Sequence, residues 1–150
     1  MAEILSEKNK LNGITPETAR REGEITSDTI ELGEVQLEFA EIVWANAPVS
    51  SGELVALCCD KFGWKKTTAY TVLRKLCDKG IFSNDDGTVR TVIDRDRFYS
   101  AKSDLFVKKT FGGSLPSFFS AFVSQNALSQ KEADEIKKLI DEYRESRKGN

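Results

Sequence analysis

From Glu34 onward the hydrophobic positions recur with a helical period. The stretch "GEVQLEFAEIVWAN" puts Val35, Phe39, Ile42 and Val43 on one face, and Pro48 in "APVSS" stops the run. "SSGELVALCCDKFG" opens with Ser50 three residues ahead of Glu53, the pattern of a reciprocal N-terminal cap. It closes on Gly63, where helices commonly end in a left-handed residue. In "GWKKTTAYTVLRKLCDKG", residues 63–80, Ala69, Val72, Leu73, Leu76 and Cys77 fall at i, i+3, i+4, i+7 and i+8. That spacing gives a third helix, residues 65–79, one apolar stripe facing a core. Two β-prone runs around Asp86-Gly87 in "IFSNDDGTVRTVI" then predict a hairpin.

Beyond the hairpin the pattern is helical again. "DRDRFYSAKSDLFVKKTFGG" reads as a helix stopped by Gly112-Gly113. "SLPSFFSAFVSQN" repeats Leu115, Phe118, Phe119, Phe122 and Val123 at helical spacing, with Ser114 and Pro116 at its start. "LSQKEADEIKKLIDEYRES" begins with a capping pair, Ser129 and Glu132, and carries Ala133, Ile136, Leu139, Ile140 and Tyr143 on one side. These helices follow a domain that already has a core, so their apolar stripes lack partner surface within one chain. A second copy is the expected cover, with Leu115, Phe118, Phe119, Phe122, Ile136, Ile140 and Tyr143 at the interface. Ahead of Glu34 the chain is polar. Thr15 and Pro16 could start a short helix there, but an isolated helix that short is marginal in water, and the extension is expected to be mostly disordered or loosely docked. The expected division is therefore an N-terminal extension over 1–33, a winged helix over 34–93 and a helical dimerisation region over 94–150.

Charge sharpens this picture. The chain of 150 residues has a net charge of only −2, yet residues 1–41 hold ten acids against four basic residues, whereas residues 61–80 hold six basic residues against one acid. Attraction to phosphate depends on the face presented rather than on the total. On the third helix, Lys66, Thr67, Tyr70, Thr71 and Arg74 lie opposite the apolar stripe. Lys65 and Lys66 stand at the positive end of the helix dipole, where a cation is unfavourable unless an external anion compensates. The order of elements predicts a mainly α fold with a small β-hairpin wing, a winged helix-turn-helix followed by a helical dimerisation region. Its third helix would enter the major groove of double-stranded DNA. The candidate DNA contacts are Lys65, Lys66, Thr67, Thr68, Tyr70, Thr71, Arg74 and Lys75, with Arg90 the wing residue expected to reach phosphate despite the acids of "NDDG". A winged-helix protein-interaction module without sequence-specific DNA binding is the alternative.

Other chemistries find little support. There is no histidine, and Cys58, Cys59 and Cys77 lack zinc spacing, so imidazole triads and Cys/His metal sites are excluded. The cysteines read as small core residues. Neither a P-loop nor a GxGxxG run is present. Glu132, Asp134 and Glu135 read as a solvated helix face rather than an acid/base pair. No cofactor, no metal and no enzymatic activity are expected. No apolar run approaches the roughly 18 residues that span a bilayer, and no signal-peptide pattern opens the chain, so a cytoplasmic protein without membrane insertion is expected.

Two separated stretches carry a resemblance. "TTAYTVLRKLCDKGIF", residues 67–82, is similar to the Thr-x-x-Thr-x-x-x-x-Leu-x-x-Lys-Gly recognition helix and exit of the penicillinase repressor family of bacterial transcription regulators. "FVKKTFGGSLPSFFSAF", residues 106–122, resembles that family's linker into its dimerisation helices, and "SSGEL" at 50–54 also matches. The resemblance covers about residues 33–145. It implies a homodimeric repressor on a palindromic operator. It also implies, as in antibiotic-responsive members, relief of repression when a membrane-bound sensor protease triggers cleavage in the helix matching 115–123. The pair at that place is Ala121-Phe122, where those members carry Asn-Phe. The C-terminal "YRESRKGN" has none of the cysteines with which copper-responsive members end.

Overall fold

The computed structural model, which describes residues 23–148, begins with a single turn of helix, α1 (Ser27–Ile30). Helix α2 (Glu34–Asn46) follows, then a short strand β1 (Val49–Ser50), helix α3 (Ser51–Phe62) and helix α4 (Lys66–Asp78). Strands β2 (Phe82–Asp85) and β3 (Thr88–Thr91) form the hairpin, and helices α5 (Arg95–Phe111), α6 (Leu115–Gln125) and α7 (Gln130–Lys148) complete the described chain. It divides into two compact units, the first ending at Leu105 and the second beginning at Phe106.

The caps fall where the sequence spells them, although only one half of the reciprocal pair at Ser50 and Glu53 forms. Ser50 Oγ accepts from the Glu53 N–H at 3.1 Å, and Gly63 ends α3 in the left-handed region at φ 71°. Asp86 and Gly87, at φ 51° and 90°, supply the two positive φ angles that a tight hairpin turn of matching twist requires. Strand β3 lies at the centre of a three-stranded antiparallel sheet, pairing Val49 with Val89 on one side and Phe82 with Thr91 on the other.

The core of the first unit sits between α2, α3, α4 and this sheet. Phe39, Ala40 and Val43 meet Leu54, Val55 and Cys58 of α3 and Ala69, Leu73 and Leu76 of α4, and Ile81, Phe82, Val89, Ile93 and Phe98 close it. Burying each of the large side chains contributes about 1.5–3 kcal/mol. The buried face of α2 is turned from the expected one. Ala40 is fully buried and Val35 is exposed, because the small Ala40 lets α2 pack closely on α3 and α4. Trp44 anchors the far side, its indole N–H donating to the Ile93 carbonyl at 3.0 Å and its ring lying 5.2 Å from that of Phe98. Glu41 bridges α2 to α5. It accepts from Arg95 Nε and from the Tyr99 hydroxyl, each at 2.7 Å, and these bonds, led by that to Arg95, hold its carboxyl below the ordinary range against the opposing effect of burial.

Of the polar extension, the described residues from 23 onward are docked on the first unit. Thr15 and Pro16, the proposed start of a short helix, lie outside the described residues. Residues just before Glu34, in contrast, pack as a strap. Ile30 is buried in the core and Thr29 is buried beside it. The Thr26 and Thr29 hydroxyls each accept the other residue's backbone N–H, so burying this polar turn leaves those donors satisfied. Lys79, one of the six basic residues of 61–80, turns toward this strap and donates to the carbonyls of Asp28 at 2.8 Å and Glu31 at 3.3 Å. Arg97 donates to the Gly23 carbonyl at 3.0 Å. Ile30 is the most deeply buried apolar anchor of the segment, and Ile30→Ala should lower stability by about 2–5 kcal/mol. Urea denaturation checks this: the midpoint should fall with its slope unchanged.

Candidate nucleic-acid interface

Helix α4 owes its exposed surface to the residues that hold its other side. Ala69, Leu73 and Leu76 are buried, and Val72 and Cys77 are partly covered, so the helix cannot rotate without exposing them. Thr67, Tyr70, Thr71 and Arg74 fall on the opposite face at i, i+3, i+4 and i+7, flanked by Thr68 and Lys75, and all six are exposed. Lys65 is the N-cap without a side-chain cap bond, Lys66 opens the first turn, and that turn contains no acid. The unpaired N–H groups and two ammonium groups at this end form a positive pole.

Ion pairing separates this face from the rest of the surface. Among the described residues Lys65, Lys66, Arg74 and Lys75 have no carboxylate within salt-bridge distance, whereas Lys79, Arg95, Lys131, Lys138 and Lys148 all do. The wing is different in kind. Arg90 Nε lies 4.0 Å from Asp85 Oδ2, with both side chains more than half exposed, a pairing weak enough to exchange for another anion. The Ser83 hydroxyl donates to the same carboxylate oxygen at 3.1 Å. Thr71 is also engaged, its hydroxyl donating to the Thr67 carbonyl at 2.8 Å.

Between α4 and β2 runs a concavity lined on the helix by Thr67, Tyr70, Thr71 and Arg74, and on the sheet by Asn84, with Leu73 and Cys77 as its floor. The sequence reading overlooked Asn84, because its place beside the helix arises only when β2 folds back. Burial, with the nearby charges of Asp78 and Asp85, pushes the Cys77 thiol up to about 11, and burial pushes Cys58 up to about 11 as well. Both stay protonated at neutral pH and are poor nucleophiles there.

In the second unit no residue of α6 or α7 is buried. Leu115, Phe119, Phe122, Ile140 and Tyr143 are exposed, as is Leu139, while Phe118 and Ile136 are partly covered. Phe118 is the hub of an aromatic cluster, its ring 5.5 Å from Phe111, 6.0 Å from Phe106 and 6.3 Å from Phe122. Ala121 and Phe122 lie within α6, and both are exposed in the single chain. No described helix is long and apolar enough to cross a membrane.

Three helices closed by a short antiparallel sheet, with the hairpin after the third helix and a helical region beyond, define a winged helix-turn-helix protein. The family model described as penicillinase repressor matches residues 32–142, and the chain belongs to that family of transcription regulators. It is similar to the penicillinase repressor of Bacillus licheniformis, at 23% identity over 79% of this chain and 95% of that protein. It is also similar to the methicillin resistance regulatory protein MecI of Staphylococcus aureus, at 22% identity over 75% of this chain and 94% of that protein.

Proposed function

We propose that the protein is a homodimeric transcriptional repressor that places α4 of each copy in the major groove of a palindromic operator. The observation that carries this reading is the exposed face of α4, where cations without carboxylate partners surround Thr67, Tyr70, Thr71 and Arg74. Lys65, Lys66, Thr68 and Lys75 serve the phosphates on either side, and Arg90 reaches phosphate from the wing by giving up its loose pairing with Asp85. The uncovered stripe of Leu115, Phe119, Phe122, Ile140 and Tyr143 supports a two-fold dimer, with Phe118 and Ile136 completing the contact. In such a dimer the two α4 helices stand about 34 Å apart, one turn of DNA.

An electrophoretic shift with genomic fragments, combined with sedimentation at micromolar concentration, tests the reading. A salt-sensitive, sequence-selective shift by a dimer supports it. A folded protein that shifts no fragment points instead to a winged helix that binds protein.

On the same reading, a protease prompted by a membrane-bound sensor releases the operator by cutting α6 near Ala121 and Phe122. Scission there divides the apolar stripe and removes the link between two readers while sparing α4. The bond lies in a helix, so it must open locally before it is cut. Mass spectrometry of the protein from cells treated with a cell-wall antibiotic should show the fragment; an intact chain alongside full derepression would exclude this route.

A further inference from the structure

We propose that Asn84 is a further DNA-contacting residue, its side-chain amide donating a hydrogen bond to a phosphate oxygen of the strand that passes α4. This deepens the repressor reading and rests on it.

The first support is position. Asn84 is the sheet's contribution to the concavity beside Tyr70, Thr71 and Arg74, so when that helix face meets the base edges, the strand bordering the groove on the sheet side runs past it. The second is orientation. The Gly87 N–H donates to Asn84 Oδ1 at 3.0 Å, and a backbone N–H requires an acceptor, so the oxygen end of the amide is assigned and the amino group is the other end. The turn that provides this N–H is itself fixed by positive φ at Asp86 and Gly87, and Asn84 pairs with Val89 in the ladder. The side chain is exposed, yet it is held in one orientation before any ligand arrives.

The third support is what the neighbours lack. Among the described residues no group accepts from the Asn84 amino group. On the opposite face of the hairpin the wing's polar groups are engaged with one another: Ser83 donates to Asp85, and Arg90 lies beside the same carboxylate. Two acids at the tip would otherwise repel phosphate, so a neutral donor on the helix side gives the wing a way to meet the backbone. A phosphate is the favoured acceptor because Asn84 flanks the helix from the sheet, whereas Thr71 and Arg74 project from the helix face that would meet the base edges.

The test uses the full chain with Asn84→Ala, Asn84→Asp and Arg74→Ala, titrated against an operator fragment and a scrambled fragment at several salt concentrations. Asn84→Asp keeps an oxygen for the Gly87 N–H and so keeps the hairpin, but it removes the donor and adds a charge of the wrong sign. Asn84→Ala should weaken binding about three- to tenfold on both fragments. Because Asn84 is neutral and displaces no counterion, the salt slope should stay as it was. Asn84→Asp should weaken binding further. A loss confined to the operator would overturn the phosphate assignment in favour of a base. Full affinity in Asn84→Asp would place any loss seen with Ala in the hairpin and overturn the contact. If both Asn84 variants bind normally while Arg74→Ala is impaired, the inference fails and the repressor reading stands. If the unaltered protein binds neither fragment, that reading fails and takes the inference with it.

Discussion

Replacing Leu115 and Ile140 together by Glu should convert the protein to a monomer in sedimentation and weaken operator binding by about 10²- to 10⁴-fold, the gain that a second linked half-site provides. The size of the effect follows from where the two residues stand. Leu115 is 62% and Ile140 52% exposed in the single chain, so a charge at either position desolvates little within one copy. Local helix stability is spared as well. A carboxylate in the first turn of α6 is favourable to the dipole, and Glu is a good helix former in α7, where Lys137 and Arg144 lie at i−3 and i+4 of position 140. Across a two-fold interface the same substitutions would bury like charges against apolar partners. Helicity and thermal unfolding of the monomer should therefore remain close to those of an undimerised chain. Unchanged mass at micromolar concentration would remove the apolar stripe of α6 and α7 as the dimer contact.

Arg74→Ala should cost about 1–3 kcal/mol in operator affinity and relax preference at one position of each half-site. The guanidinium is exposed at the centre of the α4 face, has no carboxylate partner among the described residues, and has the fork geometry that guanine O6 and N7 accept. Alanine favours the helix more than arginine does, so a loss of affinity cannot be assigned to unfolding of α4. Lys66→Ala provides the contrast: it should weaken every sequence alike and lower the salt slope by about one. Titrations of both variants on operator and scrambled DNA over a range of salt check the pair. Equal loss on both fragments for Arg74→Ala would remove it from base reading.

Much of the first unit is legible in the sequence because its signals are local. Ser50 with Glu53, Gly63, Asp86 with Gly87, and Ser129 with Glu132 each mark an element's end within a few residues, and each appears in the structure at that place. The stripe of α4 is equally readable, since five apolar residues share one helical period. What escapes is fixed by distant partners. Strand β1 has two residues and no period of its own, and it exists because β3 offers it an edge. Ile30 is one of three scattered hydrophobes in a polar stretch, with Ile25 and Leu32, and no helical or strand period links them; only the space beside the core tells them from surface residues. Lys79 counts as part of a basic cluster along the chain yet points to the strap, because it follows the last turn of α4, where the backbone leaves the helix. Asn84 joins the site through a neighbour ten residues or more away in sequence, and no local pattern encodes that.

If α4 reads an operator as proposed, the bond from the Thr71 hydroxyl to the Thr67 carbonyl would constrain what that operator can contain. With its only proton already given to the helix, Thr71 offers DNA lone pairs and a methyl group, which suit the amino group of cytosine or adenine, or the methyl of thymine. Arg74, one turn further along, offers protons alone and suits guanine. The face of α4 is thus chemically asymmetric along its length, and each half-site should have a direction: one end rich in acceptor edges, the other in amino or methyl edges. Reversing a half-site while keeping its composition would then present each side chain with the wrong edge.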